Sequence, residues 1–126
     1  MNHEPLNDGV LVVDDEFIIL RGLCLQLEEM GLSVVSTAAT CEEAINNAEK
    51  YRPRIVLMDL RLKGNGDGVD AALRIHERVG SKVIFITGSR EPEAMQRIQM
   101  DHPIAVLFKP VSEGRLRAAI EVALSS

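Results

Sequence analysis

Residues 10–17 read VLVVDDEF: four apolar residues, Val10 to Val13, run straight into Asp14, Asp15 and Glu16. A run this short and this rich in β-branched side chains reads as a strand buried on both faces rather than as a helix. Four further runs share its character: Ser33 to Thr37, Ile55 to Met58, Val83 to Ile86 and Ile104 to Phe108. Between them lie stretches with helical spacing. Phe17, Leu20, Cys24, Leu27 and Met30 recur every three or four residues and stop at Gly31, a suitable C-cap. Thr40, with Glu43 at the capping-box position, opens a second helix that runs to about Arg52 before Pro53. A third spans about Val69 to Val79 before Gly80, and a fourth begins near Pro92. The last runs from Ser112 to Leu124 with Leu116, Ala119, Ile120 and Ala123 on one face. This alternation predicts an open, doubly wound α/β fold in which helices cover both faces of a five-stranded parallel sheet.

Composition narrows the class. With 126 residues, 14 Lys+Arg and 19 Asp+Glu, the chain reads as one small acidic domain over residues 1–126, its core at about 8–124 and no output domain following. Hydrophobic residues make up 46% but aromatics only 3%, so the core is aliphatic and stacking platforms for single-stranded nucleic acid are not expected. A net charge of −5 without a Lys/Arg cluster opposes binding to phosphate backbones. No apolar run approaches the roughly 18 residues of a membrane span, and the polar start MNHEPLNDG lacks the basic region of a signal peptide. The expected location is cytoplasmic. Cys24 and Cys41 stand singly in helical segments and are expected to be buried thiols.

In open α/β sheets, ligands bind beyond the carboxyl ends of the strands. There the sequence places Asp14, Asp15 and Glu16, then Asp59, then Thr87, then Lys109-Pro110. Three carboxylates at one sheet edge repel by about 4 kcal/mol per pair at ~4 Å and an effective dielectric near 20, so the cluster calls for a cation. Oxygen-only ligands few in number suit Mg²⁺, which keeps positions for water and phosphate. Lys109 supplies a compact positive charge and Thr87 a hydroxyl. An Asp carboxylate in such company is equipped to attack phosphorus and hold a phosphoryl group as a mixed anhydride.

Taken together, VLVVDDEF, VLMDLRL (residues 56–62), VIFITGS (83–89) and VLFKP (106–110) resemble the receiver domain of two-component response regulators over about residues 8–124. The resemblance implies a strand order of 2-1-3-4-5 and makes Asp59 the phospho-accepting residue. It implies that Asp14, Asp15, Asp59 and the backbone carbonyl of Arg61 bind Mg²⁺. Thr87 would contact the phosphoryl group, Lys109 would pair with it, and the Lys109-Pro110 peptide would be cis. The implied donor is a sensor histidine kinase or a histidine phosphotransfer protein, and the implied readout is contact with a downstream protein or onward transfer in a phosphorelay. The chain would then be a signalling module rather than a turnover enzyme. The alternative is an Asp-nucleophile phosphohydrolase, but such enzymes resembling the haloacid dehalogenases use D-x-D, whereas Leu60 and Arg61 follow Asp59. A flavin module is disfavoured because an FMN phosphate wants amides and hydroxyls, not two carboxylates, at the first strand end.

The sequence also departs from that family. Where most receivers carry a Tyr or Phe three residues before the lysine, Val106 stands, and Phe108 is expected simply to pack. Phe85, Thr87 and Gly88 resemble a subset of single-domain receivers lacking the switch aromatic, which implies that the loop after Thr87 carries more of the response. The loop from Lys63 to Gly68 is one residue longer than usual and is expected to be a flexible turn, with Asp67 starting the third helix. One of Asp14 and Asp15 is expected to cap the first helix in part, with Glu16 a solvated first-turn residue. His76 and His102 are expected to be solvated or locally bonded rather than phosphorelay histidines.

Overall fold

The computed structural model describes residues 5–125; the first four residues of the polar N-terminal stretch and Ser126 lie outside the described residues. Five strands, β1 (Asn7–Val13), β2 (Val34–Ala38), β3 (Pro53–Asp59), β4 (Lys82–Thr87) and β5 (Ala105–Phe108), alternate with five helices. The helices are α1 (Phe17–Glu29), α2 (Cys41–Tyr51), α3 (Gly68–Arg78), α4 (Pro92–Gln99) and α5 (Glu113–Leu124). All strand pairs are parallel and the order is β2-β1-β3-β4-β5.

Local chemistry sets the boundaries. Thr40 accepts the Glu43 amide at the start of α2, and Ser112 accepts the Arg115 amide at the start of α5. Pro92 takes the first turn of α4, where its missing N–H costs nothing. Arg52 closes α2 in the left-handed region, so β3 begins at Pro53, two residues ahead of its apolar run. Two boundary shifts matter for the site: Asp59 and Thr87 are the last residues of their strands, still held by the ladder.

Strand alternation sorts the core into two layers. Leu11, Val13, Val56, Met58, Val83 and Phe85 face α2, α3 and α4. Val10, Val12, Ile55, Leu57, Ile84 and Ile86 face α1 and α5. The central strands β1, β3 and β4 are therefore covered on both sides, whereas the edge strand β5 is mostly half-buried. Both cysteines are free and buried, Cys24 within α1 and Cys41 at the start of α2. Among the described residues, no helix is long and apolar enough to cross a membrane.

The segment after β3 is not the loose turn that its glycines suggest. Thr40 and Lys63 form a β-bridge, and the Gly68 amide donates to the Leu60 carbonyl at 2.7 Å. At Gly68 a Cβ would lie 2.1 Å from the Asp59 carbonyl oxygen, so only glycine permits this approach. Asp67 N-caps α3 in a full capping box with Asp70. Arg97 of α4 then grips both acids, at 3.0 Å from Asp67 and 2.6 Å from Asp70. Hydrogen bonding to the Asp67 backbone and to Arg97 outweighs partial burial and holds the Asp70 carboxyl below its ordinary range. His76 likewise finds a partner beyond its own helix: its Nδ1 lies 2.8 Å from the fully buried carboxylate of Asp101, just past the end of α4. Neighbouring His102 adopts a positive φ of 53°.

Candidate functional site

The sheet brings five of the expected side chains to one edge. Val13 and Met58 are register partners in β1 and β3, so Asp14 and Asp59, each one residue further on, emerge side by side. Asp15 joins them, and one oxygen from each of the three carboxylates lies within 4.8 Å of the others. Asp14 and Asp59 are buried and Asp15 is half-buried. The Glu16 amide donates to Asp14 Oδ1 at 2.8 Å, but Glu16 is itself the N-cap and no side chain caps α1, so neither acid of the pair makes the expected cap. Glu16 itself stands at the N-cap of α1, one place before the first turn, with its carboxylate 3.8 Å from the Lys109 ammonium.

Lys109 enters from the end of β5. Its amide donates to the Thr87 carbonyl at 2.9 Å, and the Lys109-Pro110 peptide is cis. Its Nζ lies 3.0 Å from Asp14 Oδ2 and 3.3 Å from Asp59 Oδ2. Burial alone would lower the Lys109 pKa; its contacts with Asp14 and Asp59 outweigh burial, and the net shift is upward. Asp59 moves the same way for a different reason. Burial, then repulsion from Asp14, pushes its carboxyl up to about 6, against the pull of Lys109. A more basic, poorly solvated carboxylate is a better nucleophile than an ordinary surface aspartate.

Above these groups opens a cavity of about 590 Å³, lined by Asp15, Glu16, Asp59, Arg61, Thr87, Lys109 and the loop from Gly88 to Glu91. Thr87 is buried, and its hydroxyl oxygen accepts the Ser89 amide at 3.1 Å. That contact occupies a lone pair and leaves the hydroxyl hydrogen to donate to an oxygen in the cavity.

The donor set fits a small divalent cation. Asp14 Oδ2 is buried, and among the described residues its one close polar neighbour is the Lys109 ammonium at 3.0 Å. Three converging hard oxygens, one of them incompletely satisfied, match Mg²⁺ with its remaining positions open to water and phosphate. Arg61 lies on the cavity wall.

Phe108 departs from expectation. It belongs to neither core layer; instead the Arg90 guanidinium sits 3.8 Å from the centre of its ring, while Val106 packs with the layer facing α2, α3 and α4. The β4–β5 register pairs Thr87 with Phe108, which carries the ring up to the loop holding Arg90. Spacing along the chain gave no sign of this contact, because it depends on how the loop after Thr87 folds back over the edge strand.

A sheet ordered 2-1-3-4-5, with carboxylates at the ends of two central strands, a hydroxyl at the end of a third and a lysine after the edge strand, defines a phospho-accepting signalling domain. The chain belongs to the response regulator receiver domain family, whose profile matches residues 10–121. It is 33% identical over 116 residues to the transcriptional regulatory protein PdtaR of Mycobacterium tuberculosis, covering 92% of this chain and 56% of that protein. It is 31% identical over 116 residues to the phyllosphere-induced regulator PhyR of Methylorubrum extorquens, covering 91% of this chain and 43% of the relative. The chain thus spans about half the length of these curated relatives. Among solved structures, the signal receiver domain of a modulated diguanylate cyclase from Desulfovibrio desulfuricans superposes with a TM-score of 0.88 at 38% identity, covering 93% of each chain. A CheY-like receiver domain protein from Methanospirillum hungatei gives 0.84 at 29% identity, covering 96% of this chain and 95% of that one.

Proposed function

We propose that this chain is a signalling switch in which Asp59 accepts a phosphoryl group from a phosphohistidine, carried by a sensor histidine kinase or a histidine phosphotransfer protein. The observation that carries this reading is the position of Asp59: a buried, basic carboxylate between Asp14 and Lys109, opening onto a cavity that Thr87 also lines. One Asp59 oxygen attacks phosphorus, the P–N bond breaks, and its electron pair returns to the imidazole nitrogen. The product is an acyl phosphate on Asp59. Lys109 neutralises one transferred oxygen and Thr87 donates to another, both from positions set by the sheet. Mg²⁺, held by Asp14, Asp15, Asp59 and the Arg61 carbonyl, would neutralise the remaining negative charge.

The chain acts by changing its contacts with a downstream protein, or by passing the phosphoryl group onward, rather than by turnover. The hydrolase alternative is not favoured: Arg61 stands where D-x-D needs its second acid, and the carbonyl of buried Leu60 accepts the Gly68 amide in the turn. Incubation with acetyl phosphate tests the reading. A hydroxylamine-labile mass gain of one phosphoryl group that requires Mg²⁺ and disappears with chelator is expected; no gain, or a gain indifferent to the metal, contradicts it.

A further inference from the structure

Besides Lys109 and Arg61, the cavity wall holds a third cation, and its partner is an aromatic ring rather than an acid. Arg90 lines the cavity together with Asp59, Thr87 and Lys109, and among the described residues no carboxylate lies within ion-pair distance of it. Its guanidinium rests on the face of Phe108, 3.8 Å from the ring centre. Lys109, by contrast, is already shared among Asp14, Asp59 and Glu16.

We infer that Arg90 is a stored phosphoryl clamp: it rests on Phe108 and moves onto the phosphoryl group when Asp59 is modified, uncovering the ring. The inference rests on the reading of Asp59 given above. Phosphorylation replaces one carboxylate charge by a group carrying roughly one further negative charge and three strong acceptor oxygens. A lysine divided among three acids cannot neutralise that increment, whereas a guanidinium can meet two phosphate oxygens with parallel N–H donors. A charge-assisted pair of that kind is stronger than a cation–π contact at a half-exposed ring, so the equilibrium favours transfer of Arg90.

The consequence lies at the edge of the sheet. Phe108 ends β5 and is already half-buried, so losing its cover places an aromatic ring where the neighbouring Val106 offers none. The ring at 108 and the cation at 90 would then do together what a swinging aromatic does elsewhere: report the state of Asp59 on the surface beside α4.

The test uses beryllofluoride with Mg²⁺ as the phosphoryl mimic and the intact chain. In the resting protein the Phe108 ring current shields the Arg90 side-chain protons; on saturation these signals move downfield and the Phe108 ring signals shift with them. Arg90→Ala weakens beryllofluoride binding roughly tenfold or more, and Arg90→Lys restores part of the loss. Phe108→Leu removes the competing seat and therefore tightens binding, by about two- to fivefold. The inference is overturned if the Arg90 and Phe108 signals stay put at saturation, or if Phe108→Leu weakens binding while acetyl phosphate still modifies Asp59. Absence of modification in the wild-type chain instead overturns the reading of Asp59, and the inference falls with it.

Discussion

The two sides of the cavity are built from different material. On the side of β1 and β3, Asp14 and Asp59 stand at the ends of strands covered on both faces, and Lys109 reaches across to both within 3.3 Å. On the side of β4 and β5, Thr87 is fixed by the ladder, but everything beyond it belongs to a loop and a half-buried edge strand. The contrast separates chemistry from response. Asp59 and Thr87 end strands held by neighbours on both sides, whereas the groups able to change partner sit where fewer contacts oppose it.

Overfilling the rigid side should have the largest effect. In Gly68→Ala the new methyl meets the Asp59 carbonyl at 2.1 Å, with backbone rather than a flexible side chain in the way. We expect a loss on the order of 3 kcal/mol in urea denaturation, toward the upper end of overpacking costs, together with weaker Mg²⁺ binding as Asp59 shifts. Unchanged stability would show that the β3–α3 turn is as loose as its glycines imply.

Removing the central cation comes next. Lys109→Met leaves Asp14 and Asp59 buried without their counter-charge, and about 3 kcal/mol of stability should be lost in metal-free protein. Millimolar Mg²⁺ should recover part of it. Recovery would locate the cation among the carboxylates; an equal loss with and without metal would argue against that site.

The elevated Asp59 pKa makes a signed prediction. The folded protein keeps a proton that the unfolded chain releases near the ordinary aspartate value of 3.8. The contribution of Asp59 to metal-free stability therefore falls as pH rises from about 4 to about 6, then stays low. Subtracting the Asp59→Asn profile from the wild-type profile isolates this term from groups such as Asp70, whose lowered pKa has the opposite sign. A flat difference would mean that Lys109 fully compensates for burial and for Asp14.

The smallest effect belongs to the strap between α3 and α4. Arg97 and its two acids are each about a third or more exposed, so Arg97→Ala should cost only about 1 kcal/mol. Its more telling result is positional: amide shifts should spread from α4 into the β3–α3 turn, because that one side chain joins the two.

These contrasts also explain what the sequence could and could not convey. Apolar β-branched runs ending in Asp14, Asp59 and Thr87 announced both the parallel sheet and its reactive edge, because strand period and carboxyl-end chemistry are local properties. The contact of Arg90 with Phe108 was hidden, and so were the grip of Arg97 on Asp67 and Asp70 and the pairing of His76 with Asp101. Each joins side chains from different elements, and depends on helix rotation and loop path that periodicity does not carry. Gly68 was visible as a glycine but misread as slack, since its need comes from a carbonyl nine residues earlier.

Intact-protein mass measurement shows whether Asp59 alone receives the phosphoryl group. After incubation with Mg²⁺ and acetyl phosphate, the wild-type chain should gain the mass of one phosphoryl group and Asp59→Asn should gain none. An equal gain in Asp59→Asn, or none in the wild type, would contradict the account.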